Sequence, residues 1–204
     1  MRYLKTRDVK SPERGTLLSA GIDMFVPKFN ESFIEELVKN NEIERLYEHE
    51  EGVFMYMGDN YDSIEEIDLP DETTCLLVEV VKTGEMYIVL KPNGDVRIPS
   101  GIHSLFDKPN QALTAKNKSG VATRDKLIVG AELIDADYQG EINIHLFNVG
   151  NQLAIIKEGK KIVQFILIDV HLDIPKEIDS ETFYDLHNKQ SDERGAGGFG
   201  STGG

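Results

Sequence analysis

Nine short runs rich in apolar and β-branched residues follow one another between Leu76 and Val170, and this succession limits the fold more than any other feature of the chain. The runs are Leu76–Val81, Met86–Leu90, Val96–Ile98, Ile102–Phe106, Ala112–Lys116, Leu127–Ala131, Glu141–Val149, Leu153–Ile156 and Ile162–Val170. Turn signals such as Lys82-Thr83-Gly84-Glu85 and Pro92-Asn93-Gly94-Asp95 separate them. Many short strands with few helices between them predict an all-β antiparallel barrel or jelly roll. No internal repeat is visible.

The chain of 204 residues is long enough to bury a core as one generous domain. No apolar run approaches the roughly 18 residues of a membrane span, so no membrane association is expected. The first residues, MRYLKTRDVKSPERG, scatter charge where a secretory signal would be apolar. The single cysteine, Cys75, leaves no intramolecular disulfide and no cysteine metal cluster, which suits a reducing cytoplasm; at the start of a run it reads as a small apolar residue. With 22 basic against 36 acidic residues, the formal charge of −14 argues against a nucleic-acid partner.

That charge is unevenly spread. Lys28 to Cys75 holds 15 acidic and three basic residues, a net −12, so the rest of the chain is close to neutral and the segment reads as an acidic insertion. From Ser32 to about Leu46 the residues Phe33, Ile34, Leu37 and Val38 fall at helical spacing, and Ser32 with Glu35 forms a capping-box start. One or two short helices are expected there. His49, amid Glu48, Glu50 and Glu51, is read as part of a solvated face, because neighbouring side chains on a helix diverge. His103, His145 and His171 are placed in strands as paired or exposed residues.

Three further patches carry chemistry. Arg194 to Gly204 holds six glycines and one aromatic, too little apolar area to order itself when free. Its backbone N–H groups can close around phosphate oxygens. Ser201 and Thr202 add hydroxyls, Arg194 can pair bidentately with a terminal phosphate, and Phe199 offers a face for a base. Lys116-Asn117-Lys118-Ser119-Gly120-Val121 has the ingredients of an anion-binding turn. Gly130 to Gly140, read as Gly-Ala-Glu-Leu-Ile-Asp-Ala-Asp-Tyr-Gln-Gly, sets two carboxylates and a tyrosine in a glycine-bounded hairpin, where a fixed carboxylate can serve as general base.

Taken together, these residues resemble the trimeric deoxyuridine triphosphate nucleotidohydrolases (dUTPases), a family with five short motifs in fixed order. Ala20-Gly21-Ile22-Asp23-Met24-Phe25 resembles the first and Asn117-Lys118-Ser119-Gly120-Val121-Ala122 the second. Gly130 through Gly140 resembles the third, Gly159-Lys160-Lys161-Ile162-Val163-Gln164-Phe165-Ile166 the fourth, and Arg194 through Gly203 the fifth. The resemblance implies a single all-β jelly-roll or β-clip barrel domain over residues 1–204. The partly helical acidic insertion, about 28–75, lies outside the family pattern, and residues 190–204 form a mobile glycine-rich lid. Some phage members carry an insertion near this place and bind regulators, which implies a protein partner there.

The family mechanism, carried over by residue, gives Asp135 the role of holding and deprotonating the water that attacks the α-phosphate of dUTP, yielding dUMP and pyrophosphate. Tyr138 would lie under the deoxyribose and exclude a 2′-hydroxyl. Groups around Ala131, Leu133, Ile134 and Asn143 would read the uracil. Ser119, Gly120 and Gln164 would contact phosphates, Lys118 would replace the arginine usual in the second motif, and Asp23 would hold Mg²⁺ through water. Arg194, Gly198, Phe199, Gly200 and Ser201 would close over the nucleotide, Phe199 capping the uracil and Arg194 the γ-phosphate. The family's shared sites imply a homotrimer. Two departures stand out: Lys118 and Lys161 occupy positions usually held by arginine, and Glu132 one usually held by glycine. The nearest rival on this fold, a dCTP deaminase or a bifunctional relative, relies on a glutamate in the strand after the hairpin, where this chain has His145. A second alternative is a regulatory protein-binding module.

Overall fold

The computed structural model describes residues 1–41, 74–80 and 85–190, with backbone alone for residues 79, 80 and 187–190. Helices beyond Asn41, the acidic residues 42–73 and the tail residues Arg194, Gly198, Phe199, Gly200 and Ser201 fall outside that range. The described chain divides into a unit spanning Met1–Val170 and a second beginning at His171.

All nine expected runs are strands in the first unit, with ends shifted by one or two residues. In chain order the elements are β1 (Arg2–Lys5), β2 (Glu13–Arg14), β3 (Ile22–Phe25), α1 (Glu31–Asn41), β4 (Cys75–Val80), β5 (Glu85–Leu90), β6 (Asp95–Pro99) and β7 (Ile102–Leu105). They continue as β8 (Gln111–Asn117), α2 (Ser119–Arg124), β9 (Leu127–Val129), β10 (Leu133–Ile134), β11 (Asn143–Asn148), β12 (Ala154–Lys157) and β13 (Lys161–Asp169). Every pairing is antiparallel. The sheets run β10-β8-β13-β3-β2, β6-β11-β9, β12-β5-β4 and β1-β7, an all-β arrangement of the jelly-roll class.

Strand alternation builds the core. Along β11, Ile144, Leu146 and Asn148 point inward while Asn143, His145 and Phe147 occupy the other face. The inward residues join Met24, Ile88, Leu90, Ile98, Leu113, Val163 and Phe165 in one apolar cluster drawn from three of the sheets. Asn148 is the polar exception at 1 % exposure. Its amide is satisfied by the carbonyls of Leu90, Lys91 and Gln152 and by the Gly150 N–H, which ties β11 to the β5–β6 turn.

Helix α1 belongs to this core, since Phe33 and Leu37, one turn apart, are fully buried. Its cap is Asn30 rather than the expected Ser32. The Asn30 carboxamide oxygen accepts the Phe33 N–H at 3.1 Å and the Ser32 hydroxyl at 3.0 Å; a shorter Asx-type cap two residues upstream wins because it lets Phe29 stack on Phe33 at 5.0 Å. At the other end the Asn41 side chain accepts the Arg97 N–H at 2.7 Å and donates to the Arg97 carbonyl at 3.0 Å. Asn41 thereby fills a ladder position on β6, an edge strand.

In the second unit, α3 (Ser180–Gln190) starts at Asp179, which accepts the Thr182 N–H at 2.8 Å. That hydrogen bond holds the Asp179 carboxyl below its ordinary value. His171, expected in a strand, lies beyond the end of β13 and is exposed. The reason is plain in the sequence: alternation stops at Asp169, and Pro175 and its neighbours give no further pairing pattern.

Candidate active site

The segment Gly130 to Gly140 leaves the three-stranded sheet after β9, crosses to pair as β10 with β8 (Leu133 opposite Thr114, Ile134 opposite Leu113), and returns into β11. It is tied at several points. The Glu132 carboxylate accepts Lys116 Nζ at 2.8 Å and its carbonyl accepts the Ala115 N–H at 2.6 Å. No positive φ is found at Glu132, so glycine is not required where the family usually has it. The Tyr138 N–H donates to the Asp135 carbonyl at 3.2 Å, closing a turn. The Tyr138 hydroxyl donates to the Glu141 carbonyl at 2.9 Å.

Glu141 is the downstream anchor. Arg7 grips its carboxylate with Nε at 2.8 Å and Nη2 at 2.9 Å, and the Gly101 N–H donates to it at 2.6 Å. The side chains of this pair are only 11 % and 16 % exposed, and Arg7 also donates to the Ser32 carbonyl at the start of α1. The sequence reading missed both residues. The available signal was the position of Glu141 directly after the closing glycine of the hairpin.

Held this way, the turn presents Asp135 to solvent. Its carboxylate makes no hydrogen bond or ion pair among the described residues. Leu133 and Tyr138 are also exposed, at 58 % and 40 %, and Ala131 lies open beside them. Asn143 accepts Asn40 Nδ2 at 2.8 Å and donates to the Glu141 carbonyl at 3.3 Å, which fixes the orientation of its amide.

At the other end of the five-stranded sheet a second group gathers. Gln164 on β13 lies in register with Lys116 on β8 and with Asp23 on β3. Gly21 leaves room for the Gln164 side chain, which a Cβ at that position would overlap, and Gln164 Nε2 donates to the Asn117 carbonyl at 2.9 Å. Beyond Asn117 the chain turns into α2, so Ser119 and Gly120 are exposed in its first turn, where N–H groups lack intrahelical partners. Asp23 is buried at 6 % exposure and holds two ammonium groups, Lys118 at 2.5 Å and Lys161 at 3.2 Å; Lys161 also reaches Glu13 at 3.0 Å. Burial pushes the Asp23 carboxyl up, but the two lysines outweigh it and hold it below the ordinary value. Lys161, noted in sequence only as a departure from arginine, is therefore part of this cluster. Among the described residues no group of three or more His, Cys, Asp or Glu is placed to ligate a metal.

The two groups do not meet within one chain. Asp135 is one step beyond the Ile134–Leu113 pair, at the level of Ala112, while the phosphate-type turn begins after Asn117. Five residues of antiparallel strand, about 17 Å, lie between them.

A sequence profile described as dUTPase matches residues 84–203. A deoxyuridine 5′-triphosphate nucleotidohydrolase of Bdellovibrio bacteriovorus is 37 % identical over 120 residues, covering 57 % of this chain and 73 % of that protein. The solved dUTPase of Staphylococcus bacteriophage 80alpha with dUPNHPP aligns over 99 % of this chain and 97 % of its own, with a TM-score of 0.60 at 16 % identity. A mutant dUTPase from phage phi11 of S. aureus, solved to describe coordination of a structural Mg(II) ion, aligns over 88 % and 96 % with a TM-score of 0.54 at 14 % identity. Profile and relative establish the lineage, the two phage enzymes the architecture: the chain belongs to the dUTPase family.

Proposed function

We propose that this protein hydrolyses dUTP to dUMP and pyrophosphate, with Asp135 as the base that activates the attacking water. The observation that carries the reading is an exposed carboxylate, without a partner among the described residues, on a hairpin whose backbone is tied to β8 and β11 and whose downstream Glu141 carboxylate is gripped by Arg7. Such a group loses little freedom when it takes up a water. The water oxygen forms a bond to the α-phosphorus as the bond to the bridging α–β oxygen breaks; pyrophosphate leaves with that electron pair, and the water proton passes to Asp135. Tyr138, its hydroxyl already donated to the Glu141 carbonyl, lies under the deoxyribose in this reading and leaves no space for a 2′-hydroxyl. Ala131, Leu133, Ile134 and Asn143 line the side that would read uracil.

Lys118, Ser119, Gly120 and Gln164 form the phosphate side, with Lys161 joining them. Both lysines now rest on Asp23, so they stand assembled before a triphosphate arrives. Mg²⁺ fits this site only through water: one carboxylate already carrying two ammonium groups is a poor inner ligand, and phosphate oxygens are the better ones. When bound, the ion supplies charge neutralisation to the triphosphate. Residues Arg194, Gly198, Phe199, Gly200 and Ser201 complete the nucleotide contacts in this reading.

The distance of about 17 Å along β8 supports sites that take the hairpin from one protomer and the Ser119 turn from another, as in the homotrimer that the family resemblance implies. The α- and γ-phosphates are separated by only two bridging oxygens, so a single chain cannot serve both ends. Leu17 and Leu18, adjacent and 95 % and 92 % exposed on the loop between β2 and β3, supply apolar surface for such an assembly. A single cysteine, Cys75, leaves no intramolecular disulfide, which fits work in a reducing cytoplasm; its buried thiol is pushed up to about 12 by burial and by Asp95.

The test is Asp135→Asn. Turnover of dUTP is expected to fall by about 10³-fold or more while affinity for a non-hydrolysable dUTP analogue, measured by calorimetry, stays within about threefold. Near wild-type pyrophosphate release would overturn the assignment.

A further inference from the structure

His145 sits on β11 beneath the point where the hairpin departs from the sheet. The last ladder bond there is the Gly130 N–H donating to the His145 carbonyl at 2.9 Å. The next N–H, that of Ala131, has no strand to pair with. It donates instead to His145 Nδ1 at 3.2 Å. The opposite ring nitrogen, Nε2, lies 2.9 Å from Asp95 Oδ2 on the neighbouring strand β6. The ring is packed against Phe147, centroids 4.6 Å apart, and both rings fill the space that a Cβ at residue 130 would need.

These contacts define the chemical state of the imidazole. A backbone N–H can only donate, so Nδ1 must be the bare acceptor, and the single ring proton is on Nε2, donated to the Asp95 carboxylate. One residue thus holds both N–H groups at the pivot, the first through its main chain and the second through its side chain. Downstream of that pivot, within five residues, come Leu133, Ile134 and Asp135.

We propose that His145 is a positioning residue for the reaction. By capping the Ala131 amide it fixes the path of the strap from β9 to β10, and so the placement of the uracil-facing backbone and of the Asp135 carboxylate against the substrate. Asp95 acts one step further out by selecting the tautomer. The inference rests on the reading of the hairpin as the uracil and water-activating element. It adds a residue that lies outside every motif and that touches no substrate itself.

Two substitutions in the full-length protein separate the two ring nitrogens. His145→Asn sets an amide oxygen near the position of Nδ1 and can still accept from Ala131; His145→Gln reaches Asp95 but offers Ala131 nothing. With dUTP as substrate, H145Q is expected to raise KM about tenfold, the scale of one lost hydrogen bond, with kcat reduced less than KM is raised. H145N is expected to recover most of that loss. In ¹H–¹⁵N spectra the Ala131 amide is expected to shift and lose protection from exchange in H145Q and to keep both in H145N. An Ala131 amide unchanged in H145Q overturns the proposal. So does a change in that amide without a change in KM, and so do equal effects of the two variants on KM and on thermal stability, which would mark a merely structural role. The amide measurement needs no turnover. Failure of the wild type to hydrolyse dUTP would therefore strike the proposed function, while a silent amide would strike this inference alone.

Discussion

Asp23 shows how one carboxylate can gather two cations from distant parts of the chain. Two lysines converge on it from the α2 turn and from β13, and their attraction overcomes the cost of burying it. Because its folded value lies below that of the unfolded chain, the stability it contributes is in place above the ordinary carboxylate range. That contribution is lost as pH falls through the lowered value, below about 4. Asp23→Asn is expected to lower stability by about 1–3 kcal/mol at pH 7, to flatten the acid limb of the Tm–pH curve, and to leave Lys118 and Lys161 repelling each other. A wild-type acid limb in the variant would show that other carboxylates carry it. The candidate residues could be picked out one at a time: Asp135, Tyr138, Ser119 and Gln164 stand in short motifs whose spacing is local. The Asp23 cluster was not, because Lys118 and Lys161 reach it across 95 and 138 positions of sequence, and only strand register brings such residues together.

Among the elements, strands were the most readable and the hairpin supports the least. Nine alternating runs between Leu76 and Val170 announced themselves through period and turn residues. β1, β2, β3 and β10 did not: β1 has all four residues exposed, β2 and β10 are only two residues long, and β3 is four residues with the last three buried, which shows no alternation. Helix α2 was hidden because six residues hold too little periodicity to register. The Arg7–Glu141 pair couples elements 134 positions apart and carries no local signature. Arg7→Met removes the guanidinium, leaving the Glu141 carboxylate with the Gly101 N–H alone. A loss of about 3 kcal/mol in urea unfolding is expected, with a rise in KM for dUTP as the downstream end of the hairpin loosens. An unchanged midpoint would mean that water replaces the arginine without cost.

For the whole molecule, the proposed sharing of sites between chains makes activity a property of the assembly, since Asp135 and the Ser119 turn stand about 17 Å apart along one strand. Asp135→Asn and Lys118→Ala chains are each expected to be nearly inactive. Refolded together in equal amounts, they are expected to regain about a quarter of wild-type turnover, because a site drawing its hairpin from one chain and its lysine from another is intact for about a quarter of all sites in randomly mixed trimers. No recovery, with mixed oligomers verified by mass, would return both residues to a single chain.

The Asn41 side chain, which stands in for a neighbouring strand along Arg97, carries a consequence for solution behaviour. It occupies the outward N–H and carbonyl of Arg97 at the middle of that margin of β6, so α1 doubles as a guard against self-association. A chain in which this helix peels away would bare a sticky seam before it lost its barrel, and precipitation would then precede unfolding.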